Sequence, residues 1–137
     1  MLKIEGKRLF EWVTLEASES KLIYSFYVNT DSQEIMDWAR ENKWYLIPRP
    51  SLLATDSALS ESVFIQSLDW LEEKCGMDVD LMVLLMANSP TFTSEEIDLA
   101  IRILIENPEY DSAVTVSKYN MWSPIRARKI NCFGRRW

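Results

Sequence analysis

The chain has 137 residues, 47 % of them hydrophobic, with three glycines and no repeated or low-complexity stretch, so it can supply a core and is not a disordered protein. Histidine is absent, and Cys75 and Cys132 stand far apart, which excludes His-dependent triads and leaves no zinc-ligand spacing. All 21 acidic residues and nine of the 15 basic ones lie up to Asp111, whereas six basic and no acidic residues follow from Ser112 on; the bulk of the chain therefore repels a nucleic-acid polymer, and the basic end reads as a rim for a small anion or as charge balance.

Leu9, Trp12, Val13 and Ala17 recur at helical spacing and predict a first helix over Lys7–Ser20, with Glu11, Glu16 and Glu19 outside. Leu22–Val28, LIYSFYV, is β-branched and aromatic and predicts a strand. It runs into Asn29-Thr30-Asp31-Ser32, after which Ile35, Met36 and Ala39 set a second helical face. Asp31 with Glu34 three residues later has capping-box spacing, so Asp31 reads either as a helix cap or as a carboxylate at the mouth of a sheet. Lys43–Ile47, KWYLI, predicts a short strand closed by Pro48-Arg49-Pro50. An arginine between two prolines has a restricted backbone. It is either a stiff surface connection or a guanidinium held ready for a phosphate or a base carbonyl. Ser51–Ser60 is small and polar, hence a loop. Ser60 then opens a helix whose face carries Val63, Phe64, Ser67, Leu68 and Leu71, and which ends at Cys75-Gly76.

The middle of the chain carries the most information. Leu81–Leu85 is apolar without alternation, the pattern of a strand covered on both faces. It breaks at Asn88-Ser89-Pro90, and Thr93 with Glu96 then forms a capping-box pattern for a helix on the face Ile97, Ala100, Ile101, Leu104 and Ile105, stopped by Asn107-Pro108. Ala113–Ser117 predicts another strand with Lys118 at its carboxyl end, and Ala127–Cys132 a last one. Strands alternating with helices predict a three-layer, Rossmann-like α/β fold, a mostly parallel sheet with helices on both faces. Ligands in such sheets bind at the carboxyl ends of the strands, which is where Asn88 and Ser89 are expected. No apolar run reaches the roughly 20 residues of a membrane helix, and MLKIEGKRLF lacks the apolar region of a signal peptide. With both thiols read as reduced, a cytoplasmic protein is expected.

Four stretches resemble the acylneuraminate cytidylyltransferases, which activate sialic and related nine-carbon acids as CMP-sugars. GKRLFEWVTLEA (Gly6–Ala17) resembles that family's G-K-P-L-I-x-W-T-I-x-x-A helix, and VNTDSQEI (Val28–Ile35) resembles V-S-T-D-x-x-E-I. RPSLLATD (Arg49–Asp56) is similar to R-P-x-x-L-A-x-D, and VLLMANSPTFTSEEIDLA (Val83–Ala100) to L-L-Q-P-T-S-P-L-R-x-x-x-D-I-x-x-A. The resemblance covers nearly the whole chain in order. It implies a nucleotide-diphospho-sugar transferase type of fold, CTP and a nine-carbon sugar acid as partners, and release of pyrophosphate. It implies Arg49, Ser60, Asn88 and Ser89 as nucleotide-binding, and Met86 and Lys118 as substrate-binding.

The same resemblance sets expectations from its departures. The family's first strand with its Gly-rich, Lys/Arg-bearing phosphate loop, and its C-terminal aspartates for Mg²⁺, match nothing in residues 1–137, so the chain is expected to be one truncated domain, inactive alone. Mg²⁺ is expected from the family without its usual ligands, and a homodimer belongs to the complete protein. Met86-Ala87-Asn88 replaces Gln-Pro-Thr, and methionine gives none of the hydrogen bonds of glutamine. The alternatives are a non-catalytic binding or assembly subunit and a nucleotidyltransferase for a different sugar.

Overall fold

The computed structural model describes residues 3–116, so Lys118, the end of the Ala113–Ser117 strand and the Ala127–Cys132 strand lie outside the described residues. Lys3–Ile4 (β1) and Lys7–Arg8 (β2) form a small antiparallel hairpin where the sequence predicts the start of a helix. Glu5 and Gly6 both have positive φ, 48° and 81°, which makes the two-residue turn whose twist suits a hairpin. The Trp12 indole N–H donates to the Ile4 carbonyl at 3.2 Å and fixes the hairpin to the following helix. That helix, α1, is Leu9–Glu19, and it buries Phe10, Val13, Thr14 and Ala17. Glu11 accepts from the Arg8 backbone N–H and, at 3.0 Å, from its guanidinium, which also reaches Glu34 at 3.1 Å.

The expected strand at Leu22–Val28 is shifted. Its pairing residues are Tyr27–Thr30 (β3). The reason lies far away in sequence: the buried Asp98 carboxylate accepts from the Ser20 hydroxyl at 2.6 Å and from the Lys21 N–H at 3.2 Å, while Ser20 Oγ accepts from the N–H groups of Leu22 and Ile23. Those amides are committed to a turn and cannot start a ladder. Next come α2, Gln33–Glu41, with Ser32 rather than Asp31 at its N-cap, and β4, Tyr45–Pro48. Lys43 takes a left-handed φ of 61° after α2, which reverses the chain and delays β4. β3 and β4 pair in parallel, Tyr27 opposite Tyr45 through Thr30 opposite Pro48.

After a 3₁₀ turn at Ser51–Leu53, α3 spans Ser60–Asp69 and continues as a π-helical turn over Trp70–Lys74. Gly76 ends it with φ 64°, its N–H donating to the Glu72 carbonyl at 3.1 Å. The last described helix is α4, Ser94–Glu106, opened by the predicted box: Thr93 Oγ1 accepts from the Glu96 N–H at 3.3 Å, and Glu96 accepts from the Thr93 N–H at 2.9 Å. The fold is mixed α/β, and β3-α2-β4 is consistent with part of a Rossmann-like sheet. The larger parallel sheet is a correction: among the described residues the two sheets have two strands each. Leu81–Leu85 joins no ladder among the described residues, and Ala113–Val116 likewise forms no strand there, with Val114 and Val116 exposed.

Asp98 carries a pH prediction. The Ser20 hydroxyl, then the Lys21 and Leu22 amides and Arg102, hold its carboxyl below the usual range against the opposing effect of burial. Glu11 is lowered in the same way, chiefly by the Arg8 guanidinium. A carboxylate with a lowered folded pKa contributes stability above its unfolded pKa of roughly 4, and that contribution fades as pH falls through the folded value. Asp98→Asn is therefore expected to lower the urea midpoint at pH 7 and to flatten its fall in acid. Equal acid slopes for both proteins would contradict this.

Candidate functional site

Because β3 and β4 are parallel, their carboxyl ends, Thr30 and Pro48, lie side by side. Arg49 leaves β4 between two prolines and folds back over β3. Its Nε donates to Asn29 Oδ1 at 2.8 Å, and one terminal nitrogen donates to the Asn29 carbonyl. The other terminal nitrogen lies 3.8 Å from the exposed Asp31 carboxylate, too long for a good hydrogen bond, and among the described residues it has no closer acceptor. Of the two readings of Asp31, the structure leaves the carboxylate beside the sheet mouth.

Asn29 is fixed in turn. Its amide nitrogen donates to Gln66 Oε1 at 2.7 Å and to Ser67 Oγ at 2.8 Å on α3. Gln66 donates to the Pro48 carbonyl at 3.3 Å, and Ser67 donates to Val63 within its own helix. Strand, strand and helix thus meet in one polar network that sets the direction of a half-buried guanidinium. A bidentate cation held this way suits a phosphate, a carboxylate or a carbonyl oxygen. Asn29→Ala removes three of these bonds and is expected to cost about 1–3 kcal/mol of stability, read as a lower urea midpoint at unchanged slope.

Arg49, Ser60 and Met86 line one cavity of about 1060 Å³, with Ser60 the first residue of α3. Asn88 and Ser89 lie in the turn beyond Met86, where the Ser89 N–H donates to the Met86 carbonyl at 3.0 Å, and neither lines that cavity. Asn29, Gln66 and Ser67 are absent from the residues the sequence singles out as site residues. One signal points to them: Ser67 sits on an otherwise apolar helical face, where a polar group implies a partner.

The electrostatics are unusual for a nucleotide site. Arg49 is the one cation among the described residues that line the cavity, against Asp31, Asp56, Asp78 and Asp80. No three carboxylate or thiol side chains gather within reach of a common metal ion among the described residues. The family model described as Cytidylyltransferase matches residues 1–133 of the chain. No curated protein matches it.

Proposed function

We propose, for a chain that belongs to the cytidylyltransferase family, that CTP is held over the carboxyl ends of β3 and β4 and that the acceptor is a sialic acid or a related nine-carbon sugar acid. Membership of the family makes CTP the nucleotide and transfer of CMP the reaction. In the proposed step the acceptor's anomeric hydroxyl attacks the α-phosphorus. A new P–O bond forms as the bridging P–O bond to the β-phosphate breaks, pyrophosphate leaves with the electron pair, and the hydroxyl proton passes to solvent. Little covalent work is asked of the protein, which positions the groups and offsets their charge.

The observation that carries this reading is the anchored guanidinium of Arg49, fixed through Asn29 and, among the described residues, with donors to spare. Ser60 offers a hydroxyl to the nucleoside, and Met86 an apolar contact to the acceptor. Asn88, Ser89 and Lys118 remain proposed contacts with the nucleotide and the sugar. The four motif resemblances between Gly6 and Ala100 favour the sugar acid. A second reading is favoured by the acidic lining: a cytidine-nucleotide-binding assembly subunit without turnover, because a triphosphate approaching four carboxylates and one cation is poorly stabilised.

Titration calorimetry of the full chain with CTP, UTP, GTP and ATP tests the reading, followed by pyrophosphate release with CTP, Mg²⁺ and N-acetylneuraminate. CTP is expected to bind at least about tenfold more tightly than the others, equivalent to some 1.4 kcal/mol. Turnover yielding a CMP-sugar supports the enzyme, and CTP binding without turnover supports the assembly subunit. The absence of any CTP preference would sink both.

A further inference from the structure

Asp31 stands beside the nucleotide site without a task in the transfer step. It follows Thr30, the carboxyl end of β3, and its carboxylate lies 3.8 Å from the terminal nitrogen of Arg49 that Asn29 does not hold. It does not cap α2, whose N-cap is Ser32, and its side chain is 57 % exposed, so neither helix capping nor burial accounts for it. Arg49, by contrast, is 24 % exposed and anchored through Asn29. Both residues line the cavity together with Leu53 and Ala54 of the segment that follows Arg49. A fixed donor and an acceptor thus stand side by side at the mouth of the sheet.

We infer that Asp31 is the residue by which this site selects cytosine: its carboxylate accepts from the 4-amino group, while the Arg49 nitrogen beside it donates to the 2-carbonyl. This rests on the reading that CTP is held over β3 and β4, and it names what reads the base. A phosphate on that nitrogen would lie within reach of the Asp31 carboxylate, and two anions so close repel. A donor and an acceptor side by side suit instead a neutral group that both accepts and donates. Cytosine is such a group, with an amino group at one end of its edge and a carbonyl at the other, and an aspartate accepting from that amino group is a recurrent base contact. Uracil has a carbonyl at each end, so its 4-oxygen would face the carboxylate with no proton between them. Its one ring N–H lies between the carbonyls. The 3.8 Å between Arg49 and Asp31 is wider than the separation of neighbouring atoms on such an edge, so the pair spans the ends rather than the middle. Leu53 and Ala54 give the planar base an apolar wall.

The test titrates the full chain with CTP, UTP and the triphosphate of pyrimidin-2-one riboside, which is CTP without its 4-amino group. The unmutated chain is expected to bind CTP about tenfold more tightly than the pyrimidin-2-one nucleotide. A fully buried hydrogen bond would discriminate more strongly, but Asp31 is half-exposed and water competes for it. In Asp31→Ala the two nucleotides should bind alike, within about twofold, because nothing is left to meet the amino group. Asp31→Asn is the sharper variant. Its amide accepts from cytosine or, flipped, donates to the 4-oxygen of uracil, so the preference for CTP over UTP should fall to near parity, partly through a gain in UTP affinity. A merely structural role would weaken all three nucleotides together, and urea midpoints establish that each variant folds. Equal binding of CTP and the pyrimidin-2-one nucleotide by the unmutated chain, or a difference that persists in Asp31→Ala, overturns the assignment and leaves CTP at the site with another reader. So does a loss in Asp31→Ala that is seen with CTP but not with 2′,3′-dideoxy-CTP, which would place the ribose hydroxyls on Asp31. If the unmutated chain binds no CTP at all, the nucleotide reading falls and the assignment with it, so the two failures are distinguishable.

Discussion

Arg49→Ala is expected to weaken CTP binding by roughly 10- to 100-fold, the loss of one charge-assisted interaction worth about 1.5–3 kcal/mol. The size follows from how the guanidinium is held. Two of its nitrogens are committed to Asn29, so it meets a ligand already oriented, and little side-chain entropy is lost when the ligand arrives. Arg49→Lys separates charge from orientation. Lysine keeps the charge but cannot span the Asn29 side chain and carbonyl together, so an intermediate loss is expected. Asn29→Ala should weaken CTP less than Arg49→Ala, and the double variant should lose less than the sum, because Asn29 acts through Arg49. Calorimetry measures affinity and a urea melt of each variant separates binding from folding. Unchanged CTP affinity in a folded Arg49→Ala protein would remove Arg49 from the site and, with it, the observation on which the nucleotide position rests.

What the sequence disclosed depended on how local each cause is. Helix α4 was legible because its start signal, Thr93 with Glu96, acts within one turn. Arg49 was legible because the flanking prolines restrict it whatever surrounds them. The first residues of the strand ending at Thr30 were not, since the turn that displaces them is held by Asp98, 78 residues from Ser20. Leu81–Leu85 shows the limit more sharply. Its composition is that of an interior strand, but pairing needs a neighbour at hydrogen-bonding distance, and an apolar pattern carries no information on whether that neighbour is there. Asn29 went unread for a related reason. Its partners, Arg49, Gln66 and Ser67, come together only once β3, β4 and α3 are assembled.

The frame that holds Arg49 in place depends on an aromatic chain, and breaking it at Phe10 is expected to have the largest effect on stability. Phe10, 5 % exposed on α1, meets Trp38 of α2 edge-on at 5.1 Å. Trp38 meets Trp44 at 5.6 Å, and Trp44 stacks on Phe26 at 4.7 Å, so the chain runs from α1 through α2 to the starts of β3 and β4. Phe10 also lies under the Arg8 guanidinium at 5.0 Å. Phe10→Ala removes a buried ring and its edge-on partner, for an expected loss of about 3 kcal/mol, the lower end of such truncations, because Phe10 borders an open cavity that water can enter. Against a total of roughly 5–15 kcal/mol, that is a large share. Phe10→Leu should cost less, about 1–1.5 kcal/mol, and Tyr24→Ala, at 93 % exposure, less than about 0.5 kcal/mol. Urea midpoints at constant slope give all three values. If Phe10→Ala costs no more than Tyr24→Ala, the aromatic chain does not join α1 to the parallel strands. The hydrogen bonds of Asp98 and Arg8 would then be the principal ties of α1 to α4 and α2, and the acid sensitivity of the fold should be correspondingly larger.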